Sequence, residues 1–262
     1  MDVATPLKDV LYRIYGARLL AGVRRRPVPS HLGLIQDGHR RYARQAGLSN
    51  LEGYRLGADK AREVLTWCAE LGVPMVSLWW LSTENLARES ADVAAVLRVI
   101  DEKVTEWLQD GLAERLRVRI RPIGKLDLLP AATLQILERA EALTRAHDGI
   151  LLNVGVGYGG RQEIVDAMAG YLSDHFSRGS APEDILRDLT PDMVDKYLYT
   201  QDCPDPDLII RTSGEVRLSG FMLWQSAYSE FYFCDAYWPA FRKVDFLRAI
   251  RNYQDRNRRF GR

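Results

Sequence analysis

The chain has 262 residues, 36 Lys+Arg against 35 Asp+Glu, and 47% hydrophobic residues. A chain of this length fits one large domain and buries roughly 75% of its unfolded surface, so it needs no disulfide or structural metal to fold. The net charge of +1 excludes the global field of a non-specific nucleic-acid binder, the composition argues against disorder, and no apolar run has the length that spans a bilayer.

Helical spacing over residues 5–22 (Leu7, Val10, Leu11, Ile14, Leu19) predicts an N-terminal helix, ended by Pro27 and Pro29. His31–Ile35 reads as a strand closed by Asp37-Gly38. A helix from about Gly53 to Leu71 follows, then a strand Met75–Leu81 and a long helix from about Ala91 to Leu116. Val118–Ile123 alternates as a strand, Pro130–Ala146 is helical with Pro130 suited to a first turn, and Ile150–Val156 is a buried strand. Beyond these come a helix Arg161–Phe176, a loop at 178–182, helices to about Tyr199, strands Leu208–Ile210 and Phe231–Cys234, and a helix Asp245–Arg259. Strands alternating with helices predict an α/β fold: one domain over 1–262, with about six mostly parallel strands between helical layers. Residues 1–28 form its N-terminal helix and basic linker, and 241–262 a basic C-terminal helix with eight Arg/Lys and two Asp.

Cys68, Cys203 and Cys234 make neither a CxxC pair nor a zinc spacing. Cys68 and Cys234 sit in apolar patterns and read as core residues of a protein in the reducing cytoplasm. The stretch Leu11–Val23, broken by Arg13 and Arg18 and followed by Arg24-Arg25-Arg26, does not read as a secretory leader. That basic cluster is a candidate for peripheral contact with anionic lipid, although a packed amphipathic helix accounts for it better.

Open α/β sheets bind ligands beyond the carboxyl ends of their strands. After the first strand stands Asp37-Gly38-His39-Arg40-Arg41-Tyr42, and after the second Ser82-Thr83-Glu84-Asn85-Leu86-Ala87-Arg88. After the fourth stands Gly157-Tyr158-Gly159-Gly160-Arg161, and after the fifth Arg211-Thr212-Ser213-Gly214-Glu215-Val216-Arg217-Leu218-Ser219. Arginine forks suit phosphate oxygens, and glycine lets backbone N–H groups approach an anion. Taken singly, each is more often a turn, a cap or a solvated charge. Together at successive strand ends they predict an anion site, where Asp37 and Glu230 are the carboxylates available to a hard cation such as Mg²⁺. Trp79, Trp80, Leu81 and Phe221–Trp224 are core residues or the wall for a long apolar ligand.

From about His31 to Gly261 the chain resembles the cis-prenyltransferases, the family of undecaprenyl diphosphate synthase. The resemblance is carried by Leu81-Ser82-Thr83-Glu84-Asn85, by Tyr158-Gly159-Gly160-Arg161 with Glu163-Ile164, and above all by Asp207–Glu230. It is nearest to the actinobacterial short-chain enzymes that make (2Z,6E)-farnesyl diphosphate. The resemblance implies a prenyltransferase that condenses isopentenyl diphosphate with a short allylic diphosphate such as geranyl diphosphate. It further implies a homodimer with an apolar tunnel. By the same resemblance Asp37 holds Mg²⁺ with Glu230, Gly38 and Arg41 bind the allylic diphosphate with Arg40 in support, and Ser82 and Asn85 place substrate and assist proton removal. Arg88 binds diphosphate, Arg211, Arg217 and Ser219 hold isopentenyl diphosphate, and Arg259-Phe260-Gly261 reaches a partner's active site.

The chain departs from the family where Asp-Gly-Asn-x-Arg-Trp is usual. His39 replaces Asn, Tyr42 replaces Trp, and Gln36 precedes the motif. Asn50 and Tyr54 stand for the usual Arg and His. Leu81 and Leu86 stand for Phe and Trp. A histidine donates one hydrogen bond where an amide donates and accepts, and it gains a proton near pH 6.5. The His39 change motivates an alternative: a terpene synthase or cyclase, or a head-to-middle coupling enzyme, acting on allylic diphosphates. A non-catalytic partner subunit is a third reading.

Overall fold

The computed structural model describes the backbone of residues 4–86 and 90–256 and the side chains of 14–86 and 91–256. The chain runs α1 (Ala4–Val23), β1 (His31–Ile35), α2 (His39–Ala46), α3 (Asn50–Leu71), β2 (Met75–Ser82), α4 (Thr83–Leu86) and α5 (Ser90–Gln109). It continues α6 (Leu112–Arg115), β3 (Val118–Ile123), α7 (Ala131–Thr144), β4 (Ile150–Tyr158), α8 (Gly160–Ser177), α9 (Pro182–Asp188) and α10 (Pro191–Asp195). It ends β5 (Leu208–Arg211), β6 (Glu230–Phe233) and α11 (Lys243–Asp255).

Six strands form one sheet in the order β3-β4-β2-β1-β5-β6, and every pairing is parallel. Strands covered on both faces should be near-continuously apolar, and β1 and β5 are buried at every residue. Leu32, Leu34, Val76, Leu78, Leu152, Val154, Leu208 and Ile210 join the main core with residues of α1, α3, α5, α7 and α11. On the other face Ile35 and Ile209 pack with Tyr158, Phe221 and Met222, while Ala167 of α8 packs with Val194 and Leu198.

The helices differ from expectation at three places. The stretch after β1 is helical at α2, which carries no apolar stripe and buries only Ala43. The helix expected from Gly53 begins at Asn50, where Ser49 and Glu52 form a reciprocal capping box. The long helix expected to Leu116 stops at Gln109, because Gly111 is left-handed (φ 72°) and restarts the chain as α6.

Cys68 and Cys234 are buried, and all three cysteines are free. The arginine cluster after α1 serves packing: Arg24 pairs with Glu70 at 2.9 Å and Arg26 pairs with Asp255, tying α1 to α3 and α11. Among the described residues no helix is long and apolar enough to cross a membrane.

Candidate active site

Strand β1 lies between β2 and β5, with Ile35 level with both Trp79 and Arg211. From β1 the chain moves to one side of the sheet, and after β4 it crosses to the other. The carboxyl end of β1 is therefore a topological switch point. A cleft of ≈ 1290 Å³ opens there, lined at its mouth by Asp37, Gly38, Arg40, Arg41, Arg211, Glu215, Arg217 and Ser219.

Gly38 starts α2 with φ 104°, and a Cβ on it would lie 2.6 Å from the Tyr237 ring, so only glycine fits there. No side chain caps this helix, which leaves its first N–H groups open to an anion in the cleft.

Two guanidinium groups grip Asp37. Arg41 Nη2 donates to Oδ1 at 3.1 Å, and Arg211 Nη2 to Oδ2 at 2.8 Å. Arg41 also donates to Ser213 Oγ at 2.7 Å and Glu215 at 3.2 Å, and it lies over the Tyr237 ring. Arg211, only 4% exposed, donates through Nη1 to Ser219 Oγ at 2.7 Å and to the Arg217 carbonyl. Arg217 pairs with Glu215 and is largely exposed. Burial alone would raise the pKa of Asp37, but hydrogen bonds and charge from Arg211, with Ser213 and Arg41, hold it below the usual carboxylate value. The loop from Ser213 is bent through positive φ at Ser213 (81°), Gly214 (73°), Ser219 (53°), Gly220 (98°) and Met222 (45°).

Behind this mouth the lining turns apolar through Ala58 of α3, Trp79, Trp80 and Leu81 of β2, and Val93, Val96, Val99 and Ile100 of α5. Trp80 packs edge-on against buried Trp107, with ring centroids 5.3 Å apart. The wall expected from Phe221–Trp224 is not in this lining: Phe221 and Met222 are buried against Ile35 and Tyr158, and Trp224 Nε1 donates to Asp195.

Asp37, Gly38, His39, Arg40, Arg41, Leu81, Ser82, Asn85, Arg211, Arg217 and Ser219 all line the cleft as a group. Ser82 Oγ accepts from the Asn85 N–H at 3.0 Å, which caps α4 and explains the spacing of the two residues. Arg40 donates to Asp92 at 3.1 Å. Arg88, Arg259 and Gly261 lie outside the described residues.

Two expectations are corrected. Tyr42 does not line the cleft. Glu230 does not join Asp37: it lies level with Leu208, and through β1 with Leu32, five residues before Asp37. At about 3.3 Å per residue the two carboxylates are separated by roughly 15 Å along the strands, so one ion cannot bridge them within the chain. Glu230 instead pairs with Arg256.

The His39 ring rests on the bare glycine surface of α3, where a Cβ on Gly57 would fall 2.0 Å from Cε1. Nδ1 lies 3.4 Å from the Gly53 carbonyl and the ring sits 5.7 Å from Tyr54. Burial lowers its pKa, against the opposing pull of the Gly53 and Gln36 carbonyls and Asp37. The imidazole is thus neutral at physiological pH rather than poised to gain a proton there.

Sequence reasoning passed over Arg44, Glu215 and Asp92, and it treated Asn50 and Tyr54 only as departures, yet all five line the cleft. Glu215 stood in a quoted motif. Arg44, Asn50 and Tyr54 depend on α2 and the entry to α3, whose signal is the Ser49–Glu52 capping box, and Asp92 stands on α5, where Arg40 and Asn50 donate to it.

An anion-binding mouth at a switch point, joined to an apolar wall, defines an enzyme of phosphorylated apolar substrates. The comparisons agree. Residues 35–261 match the family model described as "Putative undecaprenyl diphosphate synthase". The chain is 53% identical to an isoprenyl transferase of Deinococcus radiodurans, over 89% of this chain and 85% of that one. It is 50% identical to a (2Z,6E)-farnesyl diphosphate synthase of Thermobifida fusca, over 97% and 98% of the two chains. The crystal structure of lavandulyl diphosphate synthase from Lavandula x intermedia in complex with dimethylallyl diphosphate superposes with a TM-score of 0.83 at 31% identity, covering 90% of this chain and 99% of that one. The chain belongs to the undecaprenyl diphosphate synthase family of cis-prenyltransferases, and it is a prenyltransferase.

Proposed function

We propose that the protein condenses isopentenyl diphosphate with a short allylic diphosphate, geranyl diphosphate being the first candidate, to give a short cis product such as (2Z,6E)-farnesyl diphosphate. One observation carries this reading. Arg41, Arg211 and Arg217 converge with Asp37 and the open N-terminus of α2 at one end of a cleft whose other wall is apolar. The 50% identity to a protein of that activity supports it.

Arg41 and the α2 N–H groups hold the allylic diphosphate, and Arg211, Arg217 and Ser219 hold that of isopentenyl diphosphate. The allylic C–O bond breaks and its electron pair leaves with the diphosphate, where fixed arginines stabilise the growing charge. The double bond of isopentenyl diphosphate forms the new C–C bond, and a proton leaves its C2. Ser82 and Asn85, at the end of β2, place the reacting chain and assist that proton transfer. Trp79, Trp80 and Leu81 exclude the water that would quench the cation.

The donor set suits Mg²⁺. Among the described residues no cluster of three ligating side chains exists, whereas Asp37 offers one carboxylate beside a diphosphate site. Mg²⁺ is commonly held by one or two carboxylates together with substrate phosphates. When bound, it neutralises charge on the leaving diphosphate. The basic C-terminal segment, with Arg259 and Gly261, completes the site from a second subunit of a homodimer.

A second reading, an enzyme acting on allylic diphosphates alone, draws on the likeness to lavandulyl diphosphate synthase held with dimethylallyl diphosphate. The test offers Mg²⁺ and labelled isopentenyl diphosphate with dimethylallyl, geranyl or farnesyl diphosphate in turn. A labelled fifteen-carbon diphosphate requiring both substrates supports the proposal. Product from an allylic diphosphate alone, without label, overturns it in favour of the second reading.

A further inference from the structure

The reaction above leaves one buried carboxylate without a role. Glu163, in the first turn of α8, is fully buried. Its carboxylate accepts from three donors on three segments: the Tyr158 hydroxyl at the end of β4, the Tyr199 N–H at 3.0 Å, and the Gln225 amide at 3.1 Å. The Gln225 amide nitrogen also donates to Thr200 Oγ1 at 2.9 Å. Among the described residues the carbonyl oxygen of the same amide is buried without a partner, so the amide is oriented to serve Glu163 at the expense of its own acceptor.

Gln225 belongs to the segment that carries Ser219. Within it Ser219, Gly220 and Met222 all have positive φ, which costs free energy at the two residues that are not glycine. The segment is pinned twice from α8. The Gly160 N–H donates to the Gly220 carbonyl at 2.8 Å, and Glu163 holds Gln225. Phe221 and Met222 are fully buried between these pins. At the outer end of the segment, Ser219 Oγ accepts from Arg211, the arginine that also grips Asp37.

We propose that Glu163, acting through Gln225, is a positioning residue for the diphosphate site, holding the 218–226 segment so that Ser219 stands against Arg211. This rests on reading Arg211 and Ser219 as ligands of isopentenyl diphosphate. On the same reading the clamp serves one of the two substrates, because the allylic diphosphate is assigned to Arg41 and α2, and Arg41 binds the other carboxylate oxygen of Asp37 from the one Arg211 binds.

The test replaces Gln225→Met, which keeps the bulk of the side chain and removes its donors. The expected result is a KM for isopentenyl diphosphate raised tenfold or more, with the KM for the allylic substrate within twofold. Glu163→Met, which removes both acceptor oxygens that Gln225 donates to, should act in the same direction and serves if Gln225→Met does not fold. The reciprocal double variant, Glu163→Gln with Gln225→Glu, restores a donor facing an acceptor and should bring KM back to within threefold. An unchanged KM, a rise in both KM values together, or no rescue by the double variant overturns the proposal. If the wild-type protein does not join the two substrates, the functional reading fails by itself. Affinity for inorganic diphosphate, measured by calorimetry, then decides for the clamp: tenfold weaker binding by Gln225→Met supports it and equal binding overturns it.

Discussion

Adding one methyl group at Gly57 tests where His39 lies. A Cβ there would stand 2.0 Å from His39 Cε1 and 2.2 Å from Nδ1, while the next neighbour, Trp238 Cδ1, is at 3.1 Å. The first two distances are clashes, and the third yields to a shift of a few tenths of an ångström. Overpacking of this kind costs about 1–3 kcal/mol. Against it, replacing Gly by Ala inside a helix gains about 1 kcal/mol. Gly57→Ala should therefore lower stability by about 0–2 kcal/mol when His39 is present. In a His39→Ser background the clash is gone, and the same substitution should be neutral or stabilising. The informative quantity is the coupling between the two positions, which should equal the overpacking cost of about 1–3 kcal/mol. Urea denaturation of the four proteins measures it, provided the slope of each transition is unchanged. A coupling below about 0.5 kcal/mol, the ordinary scatter of independent sites, would refute the placement of the imidazole on α3.

Arg211→Lys should reduce kcat/KM by about 10–100-fold, since a single ammonium cannot serve Asp37 and Ser219 together and each charged hydrogen bond is worth about 1.5–3 kcal/mol; steady-state kinetics with both substrates reads this. Trp80→Ala should open the apolar wall at its packing against Trp107 and shift the product to longer chains, seen by mass analysis, and an unchanged product length counts against Trp80 as a limit. Burial lowers the pKa of His31 to about 4. The unfolded chain therefore binds a proton near pH 6.5 that the folded chain refuses, so stability is full above pH 6.5 and falls as pH drops towards 4, by up to roughly 3 kcal/mol. Urea midpoints measured between pH 7 and 4 should show the fall, and a His31→Gln variant should flatten it. Asp37 works in the same direction but at lower pH: its folded pKa is depressed, so its contribution is present above its unfolded value and is lost as pH falls through the folded one. Asp37→Asn should therefore remove part of the acid-side loss of stability below about pH 4, read from acid denaturation.

The strands were legible because burial on both faces leaves them as short apolar runs, and Gly72, Pro74 and the Asp37-Gly38 pair mark their ends. Helix α2 was not, since an eight-residue helix that buries one alanine has no apolar period to read. Its importance is electrical rather than hydrophobic: it presents open N–H groups and Arg41 to the cleft. The motifs at the strand ends predicted which residues would gather, and the parallel register explains why, since Ile35, Trp79 and Arg211 stand level across three strands. The same register is what separates Glu230 from Asp37. Pairing of Leu208 with Glu230 puts that carboxylate at the amino ends of the strands, and no count of carboxylates in a motif contains that information. The direction of the His39 ring was not legible for a different reason. It depends on Gly57, eighteen residues further along the chain, whose absent side chain makes room for the ring, and on the Gly53 carbonyl beside Nδ1.

The cleft also shows how an arginine-rich site stays folded before it meets its ligand. Three guanidinium groups in a small volume repel one another, and Arg211 is almost wholly removed from water. Each is matched by an internal acceptor: Asp37 for Arg41 and Arg211, Glu215 for Arg41 and Arg217, and the hydroxyls of Ser213 and Ser219. These partners hold the forks in place, so a diphosphate meets arginines whose positions are already set and whose ordering entropy is already lost. The same partners restrain affinity, because a ligand oxygen that meets an arginine must displace a carboxylate or share the arginine with one, whereas the N–H groups of α2 are open. The proposed ionisation of a diphosphate needs that balance. Interactions stronger in the transition state than in the ground state accelerate the step, and the further negative charge on the leaving group grows only as the C–O bond breaks. On that proposal, carboxylates that compete with the bound diphosphate ester and yield as charge develops make the site selective for the ionising state over the resting one.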